Sequence, residues 1–298
     1  MLQISRRQFI YGSISTLGVG SAARLFLGCS SSNSPTTQGL LDDVQLVQRF
    51  PQVLVPGEVR MPISLAQQSG IITTASDFKF PESLTAKIIN LSNDAVVADK
   101  VTVALHGAEI ANPYYPFRAF IDKPGNYLLI VDGGPRDGAA FSVLERDQVL
   151  LPKVGDMLPS FDTPTFADAR GVDPICTRLP KPCPYHEITL TQALQLKMPV
   201  AYLVGTPAHC STGTCTPALS QLIGVARNLG NRAAFVHAEV YSDDTATVVA
   251  PAVKAFAMTF EPTLFIVDGN SKIVDRLDAV FDAKEIIDAL ARAGVVAT

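Results

Sequence analysis

At 298 residues, with 47% hydrophobic and 17% charged side chains, the chain has room for two domains with separate cores. A formal net charge of −4, with no Lys/Arg cluster beyond the N-terminus, argues against a nucleic-acid partner. No apolar run after residue 30 is long enough to span a bilayer. The five cysteines fall at 29, 176, 183, 210 and 215, two close pairs and one left over. That is the arithmetic of an exported protein with disulfides. No spacing matches the paired Cys-x-x-Cys of a zinc ribbon, and neither a metal nor a cofactor is expected.

In chain order, Ser5-Arg6-Arg7-Gln8-Phe9-Ile10 precedes a mildly apolar segment, 10–23, rich in Gly and Ser. An arginine pair followed by a hydrophobic residue resembles a twin-arginine export signal. Leu25-Phe26-Leu27-Gly28-Cys29 then resembles a bacterial lipobox, which implies a lipid on Cys29 and a signal covering 1–29. The Ser/Asn/Pro/Thr-rich stretch that follows makes 30–44 a flexible tether. Cleavage after Ser21-Ala22-Ala23, leaving Cys29 free, is the alternative.

Residues 45–150 read as short strands at 53–55, 61–65, 84–91, 101–105, 117–121, 127–131 and 140–144. Turn signals every ten or so residues, without a long helical pattern, predict an all-β sandwich. Asp122-Lys123-Pro124-Gly125-Asn126-Tyr127 and the apolar run after it resemble the late hairpin of an immunoglobulin-like domain, with Tyr127 as corner tyrosine. Tyr114-Tyr115-Pro116-Phe117 is read as core and turn, and His106 as structural.

The second half, 151–298, opens on Val154-Gly155-Asp156-Met157-Leu158-Pro159-Ser160-Phe161. In 173–184, four prolines surround Cys176 and Cys183 and leave little room for a helix or a central strand. A structural Cys176–Cys183 disulfide stapling a surface loop is expected; the alternative is a relay pair exchanging with the cysteines downstream. The remaining elements are strand 199–204, helix 216–229, strand 233–240, a helical region 245–258, strands 263–267 and 272–277, and helix 282–293. Thr216 is the expected N-cap of the first helix with Pro217 at its first position, and Gly230 closes it. Asp282 with Glu285 three residues on has the form of a capping box. A helix joins the first two strands, implying a parallel pair, while Asp268-Gly269-Asn270-Ser271 joins the last two as a hairpin.

Cys210 and Cys215 thus sit on a turn between a strand end and a helix head, where backbone N–H groups and the helix dipole favour a thiolate. Gly213 lets the turn fold back far enough for a disulfide. The segment 154–161 resembles the lead-in of redoxin-type thioredoxin domains. The β-α-β-α-β-β-α order and Phe260-Glu261-Pro262-Thr263-Leu264 resemble the same family over about 153–298. The resemblance implies an α/β thioredoxin-like C-terminal domain behind the immunoglobulin-like one, with Pro262 cis and lying against the dithiol. It implies a thiol-disulfide oxidoreductase acting on protein thiols or disulfides, with Cys210 attacking and Cys215 resolving.

Two departures stand out. His209 takes the place of the family's tryptophan before the first cysteine, and Val204 the place of its buried acid. The proton acceptor is therefore unassigned, and His209 is a candidate for lowering the Cys210 pKa. Two alternatives stay open. One is a non-catalytic binding module with two structural disulfides on the same scaffold. The other is a copper-handling protein resembling the Sco kind, with Cys210, Cys215 and a histidine as ligands. Against the latter, the cysteine spacing is wider than that family's, His237 falls on the wrong strand, and no histidine follows it. A peroxidase is disfavoured because Pro207-Ala208-His209-Cys210 stands where peroxiredoxins carry Thr-x-x-Cys.

The expected location is the outer face of the cytoplasmic membrane or the cell envelope, with the membrane as partner through the lipid. Changing Arg6 and Arg7 to lysine is expected to retain the protein inside the cell, and Cys29→Ser to release it from membranes. A mature N-terminus at Arg24 by mass spectrometry would overturn the lipid anchor while sparing export.

Overall fold

A computed structural model describes residues 41, 43–107 and 109–296; the twin-arginine segment, the lipobox and Cys29 lie outside them. Strand β1 (Gln45–Gln48) leads into the long β2 (Gly57–Gln67), which turns back through β3 (Gly70–Ile71). Next come β4 (Ser83–Asn90), β5 (Val96–Ala104), β6 (Tyr115–Ile121), β7 (Gly125–Val131) and β8 (Ala139–Val143). One antiparallel sheet is built on β2, which pairs with β1, β3 and β6; the other has the order β5-β4-β7-β8.

Period-2 alternation makes the core between these sheets. Val59, Met61, Ile63 and Leu65 of β2 point inward, as do Tyr115, Phe117, Ala119 and Ile121 of β6. Leu84, Ala86 and Ile88 of β4, Tyr127, Leu129 and Val131 of β7, and Phe141 of β8 meet them from the other sheet. The Tyr127 hydroxyl donates back to the Lys123 carbonyl at 2.7 Å, four residues upstream, and ties down the β6–β7 corner. Tyr114, Tyr115 and Phe117 are fully buried, as read from the sequence. The strand expected at 53–55 is reduced to one bridge, Leu54 to Val143.

The second half holds α1 (Leu190–Gln195), β9 (Val200–Val204), α2 (Cys215–Leu229), β10 (Ala234–Ala238), α3 (Pro251–Ala255), β11 (Thr263–Val267), β12 (Ile273–Asp278) and α4 (Ala283–Arg292). The third sheet has the order β10-β9-β11-β12, with β9 and β10 parallel and the other pairings antiparallel. Every residue of β9 and β11 is buried, which suits strands covered on both faces. Ala201, Leu203, Leu264 and Ile266 face α2 and α4; Val200, Tyr202, Val204, Phe265 and Val267 face α1 and α3. The helical region expected over 245–258 shortens to α3. Ahead of it Asp243 accepts from Thr247 N and Val248 N, and a Tyr241–Val249 bridge closes a turn. Asp282 caps α4 by accepting from Glu285 N at 3.0 Å. Among the described residues, no helix is long and apolar enough to cross a membrane.

The described residues lie in one compact unit, whose halves meet at a buried network of charged and polar groups. Arg60 points from the outer face of β2 into α4, where its Nε lies 2.8 Å from Glu285 Oε1 and its Nη1 donates to the Asp278 carbonyl at 3.1 Å. Tyr114 donates to the same carboxylate at 2.7 Å. Arg118 of β6 reaches Asp275 of β12 at 3.0 Å, and Arg292 closes on Asp275 from α4. His106 Nδ1 sits 3.0 Å from the Asp282 carboxylate, the structural role read for it. Arg60 and Glu285 are 7% and 5% exposed, so neither charge has water as a substitute partner. Arg60→Ala strands a buried carboxylate and is expected to cost about 3–5 kcal/mol in urea unfolding. The double change Arg60→Met, Glu285→Leu removes both charges and is expected to lose far less.

Candidate functional site

β9 ends at Val204, and the chain passes through Gly205 and Thr206 into the turn that carries Cys210 before α2 starts at Cys215. Gly213, at φ +67°, reverses the turn, and its amide donates to the Cys210 carbonyl at 3.0 Å. The two cysteines are joined at disulfide distance, their Cα atoms 5.9 Å apart. Their surroundings differ. Cys210 is half-buried at the surface, and its sulfur accepts from the Cys215 amide at 3.3 Å and lies 3.2 Å from Thr212 Oγ1. Cys215 is 1% exposed. A sulfur that receives the first amide of a helix is placed where the helix favours negative charge.

The helix starts one residue earlier than the sequence suggested. Thr214 precedes it without capping through its side chain, and Thr216, the expected cap, donates instead to the Pro207 carbonyl at 3.1 Å. The orphan donor that a cap would take is given to Cys210. Gly230, at φ +59°, ends α2 as expected.

Pro262 follows a cis peptide bond and lies against the turn. A Cβ on Gly205 would sit 3.2 Å from Pro262 Cβ and 3.5 Å from Cys215 Sγ, so glycine is what lets the two segments meet. Just before the proline, Glu261 points at the buried cysteine. Its Oε2 accepts from the Thr206 amide at 2.6 Å and lies 3.3 Å from Cys215 Sγ. Burial pushes the Glu261 carboxyl up from its usual range, against the pull of the Thr206 amide, and the nearby Glu239 adds to the rise. A partly buried carboxylate thus stands beside the second cysteine although β9 offers none at Val204. It enters from the proline loop rather than from β9, and its only sequence signal was its place beside Pro262.

His209 lies at the rim of the same turn. Its ring meets Tyr241 edge-on at 6.3 Å, and Cys210 Sγ is contacted by Thr212 and the Cys215 amide instead. Beside the turn, Thr212, Tyr241, Val249, Met258, Phe260 and Glu261 line a largely apolar groove of about 370 Å³.

The other cysteine pair departs from its expected chemistry. Cys176 and Cys183 are free and buried, not joined in a disulfide. The reason is non-local: two buried histidines, His186 and His237, converge on the same point, and one donor atom from each of the four residues lies within 4.8 Å of the others. His237 faces this cluster, not the dithiol, so the groups converging at the dithiol are Cys210, Cys215 and Glu261. The clusters are close neighbours. Thr177 Oγ1 donates to Glu239 at 3.1 Å and accepts from the Ala208 amide of the dithiol turn, also at 3.1 Å.

No protein-family model matches this chain, and no curated protein matches it.

The difference in exposure has a direct readout. After mild reduction, iodoacetamide is expected to modify Cys210 first and Cys215, Cys176 and Cys183 much more slowly. Peptide mapping against time checks this, and equal labelling of Cys210 and Cys215 would contradict the geometry.

Proposed function

We propose that the protein is an exported, lipid-anchored thiol-disulfide oxidoreductase that works through Cys210 and Cys215. The placing of the Glu261 carboxylate against Cys215 carries this reading, because a buried thiol that must attack needs an acceptor for its proton. In one direction, the Cys210 thiolate attacks a substrate disulfide, forming a mixed disulfide and releasing one substrate sulfur, which leaves as a thiol after taking up a proton. Cys215 then gives its proton to Glu261 and attacks Cys210 Sγ. The second substrate sulfur is released and protonated, and Cys210–Cys215 is left as the disulfide. The substrate gains two electrons and two protons; the reverse sequence oxidises a substrate dithiol. The apolar groove suits an extended peptide whose side chains flank the reacting cysteine.

The sheet order β10-β9-β11-β12, the helix from β9 into β10 and the cis proline ahead of β11 support a thioredoxin-like domain for the second half. The facing antiparallel sheets and the Tyr127 corner support an immunoglobulin-like sandwich for the first.

A Cys215→Ser variant is expected to accumulate mixed disulfides through Cys210, and a Cys210→Ser variant to trap almost nothing. Equal trapping by both, or by neither, sinks the assignment. Glu261 accepts a proton only when ionised, so resolution of the mixed disulfide is expected to quicken as pH rises through its raised pKa. Glu261→Gln is expected to slow resolution about 10²-fold and to move the rise to the higher pH at which Cys215 ionises unaided. An unchanged pH profile in stopped-flow measurements would remove Glu261 from the proton path.

A further inference from the structure

We infer that Cys176, Cys183, His186 and His237 form a closed, four-coordinate zinc(II) site. His237 Nδ1 lies 3.5 Å from Cys183 Sγ, 3.8 Å from Cys176 Sγ and 3.2 Å from His186 Nε2. A tetrahedron with Zn–S near 2.3 Å and Zn–N near 2.0–2.1 Å has S···N edges of about 3.5 Å and N···N edges of about 3.3 Å. The three edges from His237 Nδ1 match those values, and all four donor atoms lie within 4.8 Å of one another.

The hydrogen bonds around them fit. His237 Nε2 lies 2.8 Å from the Gly205 carbonyl, which takes the ring proton and turns the Nδ1 lone pair toward the centre. One lone pair then faces two sulfurs and a second imidazole nitrogen, more than a single proton can satisfy. The Cys183 amide donates to Cys176 Sγ at 3.4 Å, the kind of contact a thiolate ligand receives.

All four residues are buried, so no coordination position is open to a substrate and the site is structural rather than catalytic. Two thiolates and two imidazoles in a tetrahedron select zinc over the oxygen-seeking divalent ions. Three ligands come from the proline-rich loop and the fourth from β10, so one ion fixes a segment that has no helix or strand of its own. The same loop holds the dithiol turn through Thr177.

The full chain, purified without chelator, is expected to carry about one zinc per molecule by elemental analysis, since four ligands complete one shell. The Cys210→Ser, Cys215→Ser double variant is expected to keep that zinc, and Cys183→Ser or His237→Ala to lose it. Because the last two risk misfolding, the wild-type chain stripped under reducing conditions and refilled with cobalt(II) gives a second readout. Intense visible d–d bands and near-ultraviolet thiolate charge-transfer bands are expected, abolished by one equivalent of zinc. Copper or iron in place of zinc, a Cys176–Cys183 disulfide in the native protein, or a colourless cobalt titration would overturn the site.

Discussion

One glycine peptide holds the chemistry of the second half together. Gly205 has no side chain, and that absence lets Pro262 and Cys215 approach the end of β9. Its carbonyl accepts from His237 Nε2, and the next amide, from Thr206, donates to Glu261. The orientation of the His237 ring and the position of the Glu261 carboxylate are thus set by the two ends of one short stretch. A Cβ at 205 would meet Pro262 at 3.2 Å, so the proline or the turn would have to give by a few tenths of an ångström. A displacement of even an ångström matters for a group that must accept a proton from one particular sulfur.

The frame that makes such positioning possible depends on burial. Arg60, Tyr114 and Glu285, with Arg118, Asp275 and Arg292 beside them, join the β2 face to β12 and α4 across sequence separations as large as 225 residues. Buried ion pairs are weak sources of net stability, because desolvation offsets most of the attraction. Their directional demands are strong, however. A guanidinium that must satisfy a carboxylate and a backbone carbonyl at once admits few relative orientations of the two elements. An apolar contact of equal area would tolerate sliding. α4 shares a core with α2, whose first amide meets Cys210.

Local pattern was enough to read most of the elements. An apolar run, an alternating run and a β-rich run place β4, β6 and β7 to within two residues of their ends, and the apolar runs of β9 and β11 stand out because both of their faces are covered. What escaped was non-local or weakly patterned. α1 has only six residues and was passed over, although Thr189 and Gln192 form its capping box. β1 was missed because most of its residues are only half-buried and its partner is β2. The Cys176/Cys183 pair was misread because spacing reports only on the loop. His186 lies three residues past Cys183, but His237 arrives from a strand more than fifty residues away. Glu261 was overlooked for a similar reason: the acid was sought along β9, and the fold delivers it from the loop before β11.

The two sulfur pairs sit within one hydrogen-bonded assembly, yet their environments point them to opposite chemistry. Thiol exchange needs a sulfur that a partner can reach, an amide or dipole that favours its thiolate, and a route for the second proton. In the proposed reading, Cys210, the Cys215 amide and Glu261 would supply these in turn. Cys176 and Cys183 are buried, and the groups that converge on them are the imidazole nitrogens of His186 and His237. The zinc ion inferred above would engage all four donor atoms at once. The same contrast explains why the pairs need not exchange with each other. Of the four sulfurs only Cys210 is half-exposed, as the proposed exchange with other molecules requires, whereas the proposed zinc would use the buried pair to hold the neighbouring loop.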